Sequence, residues 1–281
     1  MLKKQQFLVI SIVAILMAIL LSLNIKGLVK PSEEKGAINE QPDVAKTATY
    51  SIEQASVDGK IDLNANLTQQ IKDLEISLQQ ASGTEKLAVQ KQLAQSWDDV
   101  NKPAPASFYY EIIAQKENNF NNWLKTADRF SEAYHNTQDS VVKPFLVQKA
   151  GAAYQKAIEF NKNSLDARTG LGVAYVNGSG SPMQGIQLLL GVVKEDPENI
   201  NANLNLGLFS MKSGQYDKAI ARFRTVVAQN NDPEAWFYLA SSYENLGKID
   251  DAIASYIKTK ELAADPSLGQ FVDRKIKELK K

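Results

Sequence analysis

The chain has no cysteine in 281 residues and only one histidine, His135. Without cysteine there is no disulfide framework, no cysteine-built zinc site and no thiol to carry a lipoprotein-type anchor. The compartment is left open, because a disulfide-free protein can function on either side of a membrane. His135 has neither a second histidine nor a cysteine to complete a metal site, so it reads as a surface or helix-end residue and no metal is expected. Charge of one sign is not in excess either: lysine plus arginine number 32, and so do aspartate plus glutamate. Nucleic-acid binders show a basic surplus, so nucleic acid is not an expected partner. Gly178-Ser179-Gly180-Ser181 lacks the Gly-Lys-Ser/Thr that completes a phosphate loop and reads as a turn. Asp98-Asp99 and Asp250-Asp251 are helix neighbours about 100° apart, which do not converge as an acid/base pair must. No cofactor and no catalytic constellation is expected, and the chain does not read as an enzyme.

What the chain does have is self-similarity at a fixed spacing. Trp236-x-x-Leu239-Ala240-x-x-Tyr243 is followed by Ala252-x-x-x-Tyr256. One period earlier stand Leu206-Gly207, then Ala219-x-x-x-Phe223 and Val226. Leu206 to Leu239 and Ala219 to Ala252 are both 33 positions apart. A period of this size signals an array of like units. The chemistry within a unit is that of two antiparallel helices. A large residue beside a small one on the first helix lets the second approach, and Ala219 or Ala252 answers from that second helix. Phe223 and Tyr256, one turn on, fill the space between pairs, and Gly214 and Gly247 end the first helices. A single pair cannot bury its apolar face, so neighbours must stack.

These residues resemble the tetratricopeptide repeat, W-x2-L-G-x2-Y then A-x3-F then P over about 34 residues. Weaker copies precede the two clear ones. Leu171-Gly172-x-x-Tyr175 leads to Leu189, Val192 and Pro197, with Gly185 where alanine is expected. Trp123-x-x-Thr126-Ala127-x-x-Phe130 pairs with Ala150-x-x-x-Tyr154, separated by roughly eleven extra residues around 136–143. Leu93-Ala94-x-x-Trp97 pairs with Ala106-x-x-x-Tyr110, with Pro103 and Pro105 at the head of the second helix, where proline is tolerated.

The resemblance implies an all-α fold, a right-handed solenoid of about five helix pairs over residues 87–266. The units run 87–119, 120–164, 165–199, 200–232 and 233–266, and residues 267–281 form a polar-faced capping helix. The resemblance also implies an inner face lined by the first helix of each pair. Its positions in the middle and C-terminal units include Thr169, Val173, Val176, Leu204, Asn205, Leu208, Met211, Phe237 and Ser241, an apolar groove expected to receive a peptide segment of a partner protein. Two origins for this apolar character stay open: a binding groove, or side chains packing on one another within a tightly wound array.

Residues 7–23 (FLVISIVAILMAILLSL) carry no charge and, as a helix extended to Ile25, approach the roughly 30 Å of a bilayer core. Lysines flank both ends. The run is long for a signal-peptide core and no A-x-A-like site follows it, so residues 1–29 read as an uncleaved signal anchor, a single transmembrane helix. Residues 30–60, with Pro31, Pro42, Gly36, Gly59 and scattered apolar residues, read as a disordered tether with a mean reach of roughly 30 Å. In 61–86, Leu63, Leu67, Ile71, Leu74 and Leu78 form one helical stripe. It reads as a cap on the first unit or as a short coiled coil over 62–80 for self-association.

Together these features point to a bacterial inner-membrane, single-pass protein with its repeats in the periplasm. It would bind envelope proteins through the groove, as an accessory or chaperone-like subunit of secretion or insertion machinery. The alternative is a structural scaffold of an envelope complex without client binding. The anchor has a direct test: the protein should resist carbonate and high-salt extraction from membranes and keep its own N-terminus. A mature N-terminus beyond Leu23 overturns the anchor.

Overall fold

The computed structural model describes residues 50–178 and 181–281, and among these it contains thirteen helices and no strand. They are α1 Ile52–Lys60, α2 Ala65–Gln80, α3 Gly83–Asp99, α4 Pro103–Lys116, α5 Phe120–Asn136, α6 Val142–Phe160, α7 Leu165–Asn177, α8 Pro182–Glu195, α9 Ile200–Lys212, α10 Tyr216–Val227, α11 Pro233–Asn245, α12 Ile249–Leu262 and α13 Pro266–Leu279. From α3 to α12 they pack as five pairs, α3 on α4 through α11 on α12, and α13 closes against α12. The apolar residues 7–23 and most of the expected tether lie outside the described residues. Among the described residues no helix is long and apolar enough to cross a membrane.

Local chemistry sets where the helices begin. From α5 onward each first helix of a pair, and the closing α13, starts on a short polar cap: Asn119, Ser164, Asn199, Asp232 and Asp265 each accept a backbone N–H of the first turn. Such caps satisfy orphan donors and stabilise by about 1 kcal/mol each. Proline opens α4, α8, α11 and α13, where its missing N–H costs nothing.

The stops follow one rule in three pairs. Gly214 and Gly247 have φ of +72° and +70°, and Asn101 takes the same place in the first pair at +54°. In each, the next residue's N–H reaches back to a carbonyl five positions earlier: Lys102 to Trp97, Gln215 to Ser210 and Lys248 to Tyr243, at 2.9, 2.8 and 3.0 Å. This is the Schellman closure, and asparagine is the side chain that best tolerates the left-handed region after glycine. The extra residues of the second unit go mainly into longer helices, 17 residues in α5 and 19 in α6.

Helix crossings depend on small residues. A Cβ on Gly207 would stand 2.5 Å from the Phe223 ring, so α10 can lie on α9 only because that position is glycine. In the third pair the contact is closer still. A Cβ on Gly185 would stand 2.4 Å from the Gly172 carbonyl oxygen, so glycine replaces the expected alanine at 185 because two backbones touch there.

One expectation is corrected. The tether was drawn to residue 60, yet residues 52–60 form α1, capped by Ser51 and packed on α4. Ala55, Ser56 and Gly59 are buried, and Gly59 lies so close to the fully buried Trp97 that a Cβ would stand 2.9 Å from its ring. Ser56 donates to Glu75 Oε1 and Lys60 pairs with Glu75 Oε2, both at 2.5 Å, tying α1 to α2. The segment reads as polar because its buried stripe is made of small residues, which leave no hydrophobic period. Tyr50, just before it, is buried with its ring 6.0 Å from Phe108. The α2 stripe packs on the first pair: Ile71 is 2% exposed and joins Leu93, Ala94 and Trp97 in one cluster, with Leu63, Leu74 and Leu78 against it. The seam that a coiled coil over 62–80 would need is thus covered by the chain itself.

Gly185→Ala should lower stability by roughly 1–3 kcal/mol, because overpacking against backbone cannot relax. Asn101→Val should cost about 1–2 kcal/mol through left-handed strain, and Asn101→Gly should be tolerated. Urea melts followed by circular dichroism measure all three, and a neutral Gly185→Ala would sink the close-crossing account.

Candidate functional site: the inner face of the helix array

Successive first helices approach one another more closely, α5 with α7, α7 with α9 and α9 with α11, than successive second helices, which meet through long side chains where Lys149 of α6 pairs with Glu111 of α4 at 2.9 Å and Phe145 stacks on Phe108. The array therefore curves toward its first helices, and their free sides make the inner face.

The nine residues expected on this face are not equally available. Val173 and Thr169 are buried, 7% and 5% exposed. Val173 packs with Leu189, Val192 and Leu206, and the Thr169 hydroxyl has no hydrogen-bond partner among the described residues. Val176, Leu204, Leu208, Met211, Phe237, Asn205 and Ser241 are half-buried. Leu204, Leu208 and Met211 lie against the Ala219–Ile220–Phe223–Leu239 cluster. Phe237 sits among Tyr256, Tyr238 and Phe271, with ring centroids 5.7, 6.1 and 5.9 Å away. Packing and exposure thus share the same side chains: each apolar residue buries its inner part against the next pair and leaves an outer part on the face. Asn205 donates to the Asn201 carbonyl of its own helix at 2.9 Å, so its amide holds no neighbouring element.

Polar latches flank this apolar stretch. Tyr110 donates to Asp98 at 2.8 Å, Tyr154 to Asp128 at 2.9 Å and Tyr256 to Glu244 at 2.6 Å. In the first and fifth pairs the following helix adds cations. Lys125 and Arg129 reach Asp98 at 3.0 and 2.9 Å, and Lys275 of α13 reaches Glu244 at 2.9 Å. Arg129 also pairs with Glu132. The fourth pair replaces the latch by Met211 and Phe223, at the same twelve-residue separation as Asp98 with Tyr110 and Glu244 with Tyr256. That spacing was readable in the sequence as a recurring acid–tyrosine pair, but the latch roles needed the structure.

The electrostatics follow from these contacts. Burial alone would raise the Glu244 carboxyl, but the Tyr256 hydroxyl and Lys275 outweigh it and hold the pKa below the usual range. Burial raises the Tyr256 hydroxyl in turn. Asp128 is exposed as a residue, yet the protein packed around its carboxyl removes enough water to raise its pKa, against the pull of Tyr154. Among the described residues no cluster of His, Cys, Asp and Glu could hold a metal ion.

Residues 204–267 match the tetratricopeptide repeat. The match covers the clearest part of the array, α9 to α12 with most of α9 included. Among solved structures, the tetratricopeptide-like array is similar to PilW, described as a widely conserved type IV pilus biogenesis factor. Identity is 21% with a TM-score of 0.51, covering 69% of this chain and 86% of that one. Structures of MamA are similar at 19% identity, with a TM-score of 0.46 for one covering 60% of this chain and 94% of that one. At 21% identity the likeness to PilW concerns the fold alone. No curated protein matches the chain.

The latch on the fifth helix pair has a pH signature. A carboxyl held below its unfolded pKa adds stability above that value and loses it as pH falls through the folded pKa. Tyr256→Phe should therefore cost roughly 1.5–3 kcal/mol near neutral pH, the range for a hydrogen bond to a charged group. The deficit should shrink as pH drops through and below about 4.3, where the unfolded glutamate protonates. Thermal melts of both proteins between pH 3 and 7 decide it; a pH-independent deficit removes the latch.

Proposed function

We propose that the chain is a membrane-anchored interaction module of the cell envelope that binds partner proteins through the inner face of its repeats. The observation that carries this is the set of half-buried apolar side chains Val176, Leu204, Leu208, Met211 and Phe237 on first helices of three consecutive pairs, with Asn205 and Ser241 between them. Apolar side chains spaced along a curved inner face, with polar groups interleaved, suit an amphipathic or extended segment. The buried Thr169 and Val173 support the floor of that face. Anchoring rests on the uncharged residues 7–23, and the periplasmic setting on the lysines beside them. The work would be that of an accessory or chaperone-like subunit of secretion or insertion machinery. A scaffold that only holds a constant complex is the second reading. The closure of both ends of the array by α1, α2 and α13 favours a self-contained unit that presents one face.

Leu208 and Phe237 are poor test positions, because both also pack the array. Asn205→Arg with Ser241→Arg fills the face from two polar positions: the Asn205 amide bonds only its own helix, and Ser241 borders the Tyr256 hydroxyl without being part of an apolar cluster. The double variant should melt within a few degrees of the parent yet lose the partners captured by crosslinking in native membranes. Retention of every partner overturns the inner-face reading. Many substoichiometric partners support client binding, and a few constant ones support the scaffold.

A further inference from the structure

The outer side of the array carries a feature that the inner-face reading does not use. Second helices of such an array show solvent a polar side. On α10 that side bears Lys218, Arg222 and Arg224, and on α12 the exposed Ile249 and Ile257 are interleaved with Asp250, Asp251, Lys258 and Glu261. Helix α8 departs from this. Its inner stripe, Gly185, Leu189 and Val192, is buried in the core, and a second apolar row of Met183, Ile186 and Leu190 lies opposite. Met183 is 71% exposed and Leu190 36% exposed. Spacings of three and four residues place the row on one face over two turns, about 10 Å of helix. An exposed apolar stripe on an otherwise polar surface marks an interaction site.

Beside the stripe is a hollow. Helices α8 and α9 meet more sparsely than any other second helix with the first helix that follows it. The gap between α8 and α10 is a cavity of about 770 Å³ over the outer side of α9. Its apolar floor and wall are Val176, Ile186, Leu190, Leu206 and Phe209. The size lies within the range of natural ligand clefts. Its charged residues are both cations from α10, Lys218 and Arg222, and no carboxylate lines it. Lys218 Nζ reaches only Gln215 Oε1 at 2.6 Å, and Arg222 donates to Asn203 Oδ1 at 3.1 Å. Neither has an ion-pair partner among the described residues, whereas Arg168, lining a hollow of about 560 Å³ on the other flank of α8, is neutralised by Glu195 at 2.7 and 2.8 Å.

We propose that the cleft between α8 and α10 is a second docking site, on the outer face, for an acidic amphipathic helix of a partner protein. Its apolar side chains would lie on Met183, Ile186, Leu190 and Phe209, and its carboxylates would face Lys218 and Arg222. Charge complementarity selects this occupant: an apolar cleft with two unneutralised cations and no acid attracts a carboxylate-bearing segment and repels a basic one. The site shares only Val176 with the residues assigned to the inner face, and none of the groups proposed to contact the helix belongs to that face.

The probe is a fluorescein-labelled 16-residue peptide with leucines at helical spacing flanked by glutamates, compared with the same peptide carrying lysines instead. Anisotropy is read on the full-length chain held in zwitterionic lipid nanodiscs, with empty discs as blank. The acidic peptide should bind at least about tenfold more tightly at low salt, the gap narrowing as salt rises. Met183→Glu, at an exposed position, should weaken it about tenfold or more without moving the melting temperature, by removing apolar contact and adding like charge. Lys218→Glu should reverse the preference toward the lysine peptide. Equal affinity for both peptides, or no binding of the acidic one, overturns the proposal. So does loss of binding in Asn205→Arg with Ser241→Arg, which would put the peptide on the inner face. Concentration-dependent dimerisation abolished by Met183→Glu would give the cleft to a second copy and overturn it equally.

Discussion

The array depends on how closely two helices can approach. In the fourth pair Gly207 admits the Phe223 ring, and in the third Gly172 and Gly185 bring two backbones together. In the fifth, Ala240 and Ala252 are both fully buried. Each crossing uses a small residue so that a large one from the partner helix can fill the space beyond it. The pair so formed still has an open apolar side, which the next pair covers. Core clusters accordingly run from one pair into its neighbour, as Val173, Leu189 and Val192 do with Ala202 and Leu206.

An array of this kind has two ends, and they are closed differently. At the C-terminal end α13 buries only Val272 completely, with Leu268, Ile276 and Leu279 against the same cluster, and Lys260 and Lys275 pair across the junction with Asp273 and Glu244. At the N-terminal end two helices share the task. Ile71 of α2 covers Trp97, and α1 slips Ala55 and Gly59 in beside α4. The first and fifth pairs also hold the cation-bound tyrosine latches. Polar specificity is therefore concentrated near the ends, and the middle is left apolar. That distribution is what makes both faces of the third and fourth pairs candidates for recognition: half-buried apolar side chains inside, and the Met183–Leu190 row outside.

Much of this architecture could be read from residue spacing. Leu206, Leu239, Ala219 and Ala252 mark the period because packing across a crossing demands the same sizes at the same places. Gly214 and Gly247 mark the stops because only glycine takes a left-handed turn without strain. The residues expected on the inner face lie on α7, α9 and α11, but their exposure was not legible: Thr169 and Val173 vanish into the junction, while Leu208 and Phe237 are divided between core and surface. Exposure depends on how far the neighbouring pair is rotated, and no residue records that alone. Helix α1 was missed because a stripe of alanine, serine and glycine carries no hydrophobic signal.

By itself the sequence determined the helical class, the repeat period and the glycine closures, since each rests on interactions within a few residues or on size-matched positions one period apart. It also shows residues 7–23 to be an uncharged apolar run. Only the tertiary structure decided that Asn101 acts as a third closure, that residues 52–60 belong to the folded array, and that α8 shows solvent an apolar row beside a cationic cleft. Those features arise where elements far apart in the chain meet. Their physical causes, a neighbour's ring against Gly59 or a gap left between α8 and α10, exist only once the helices are stacked.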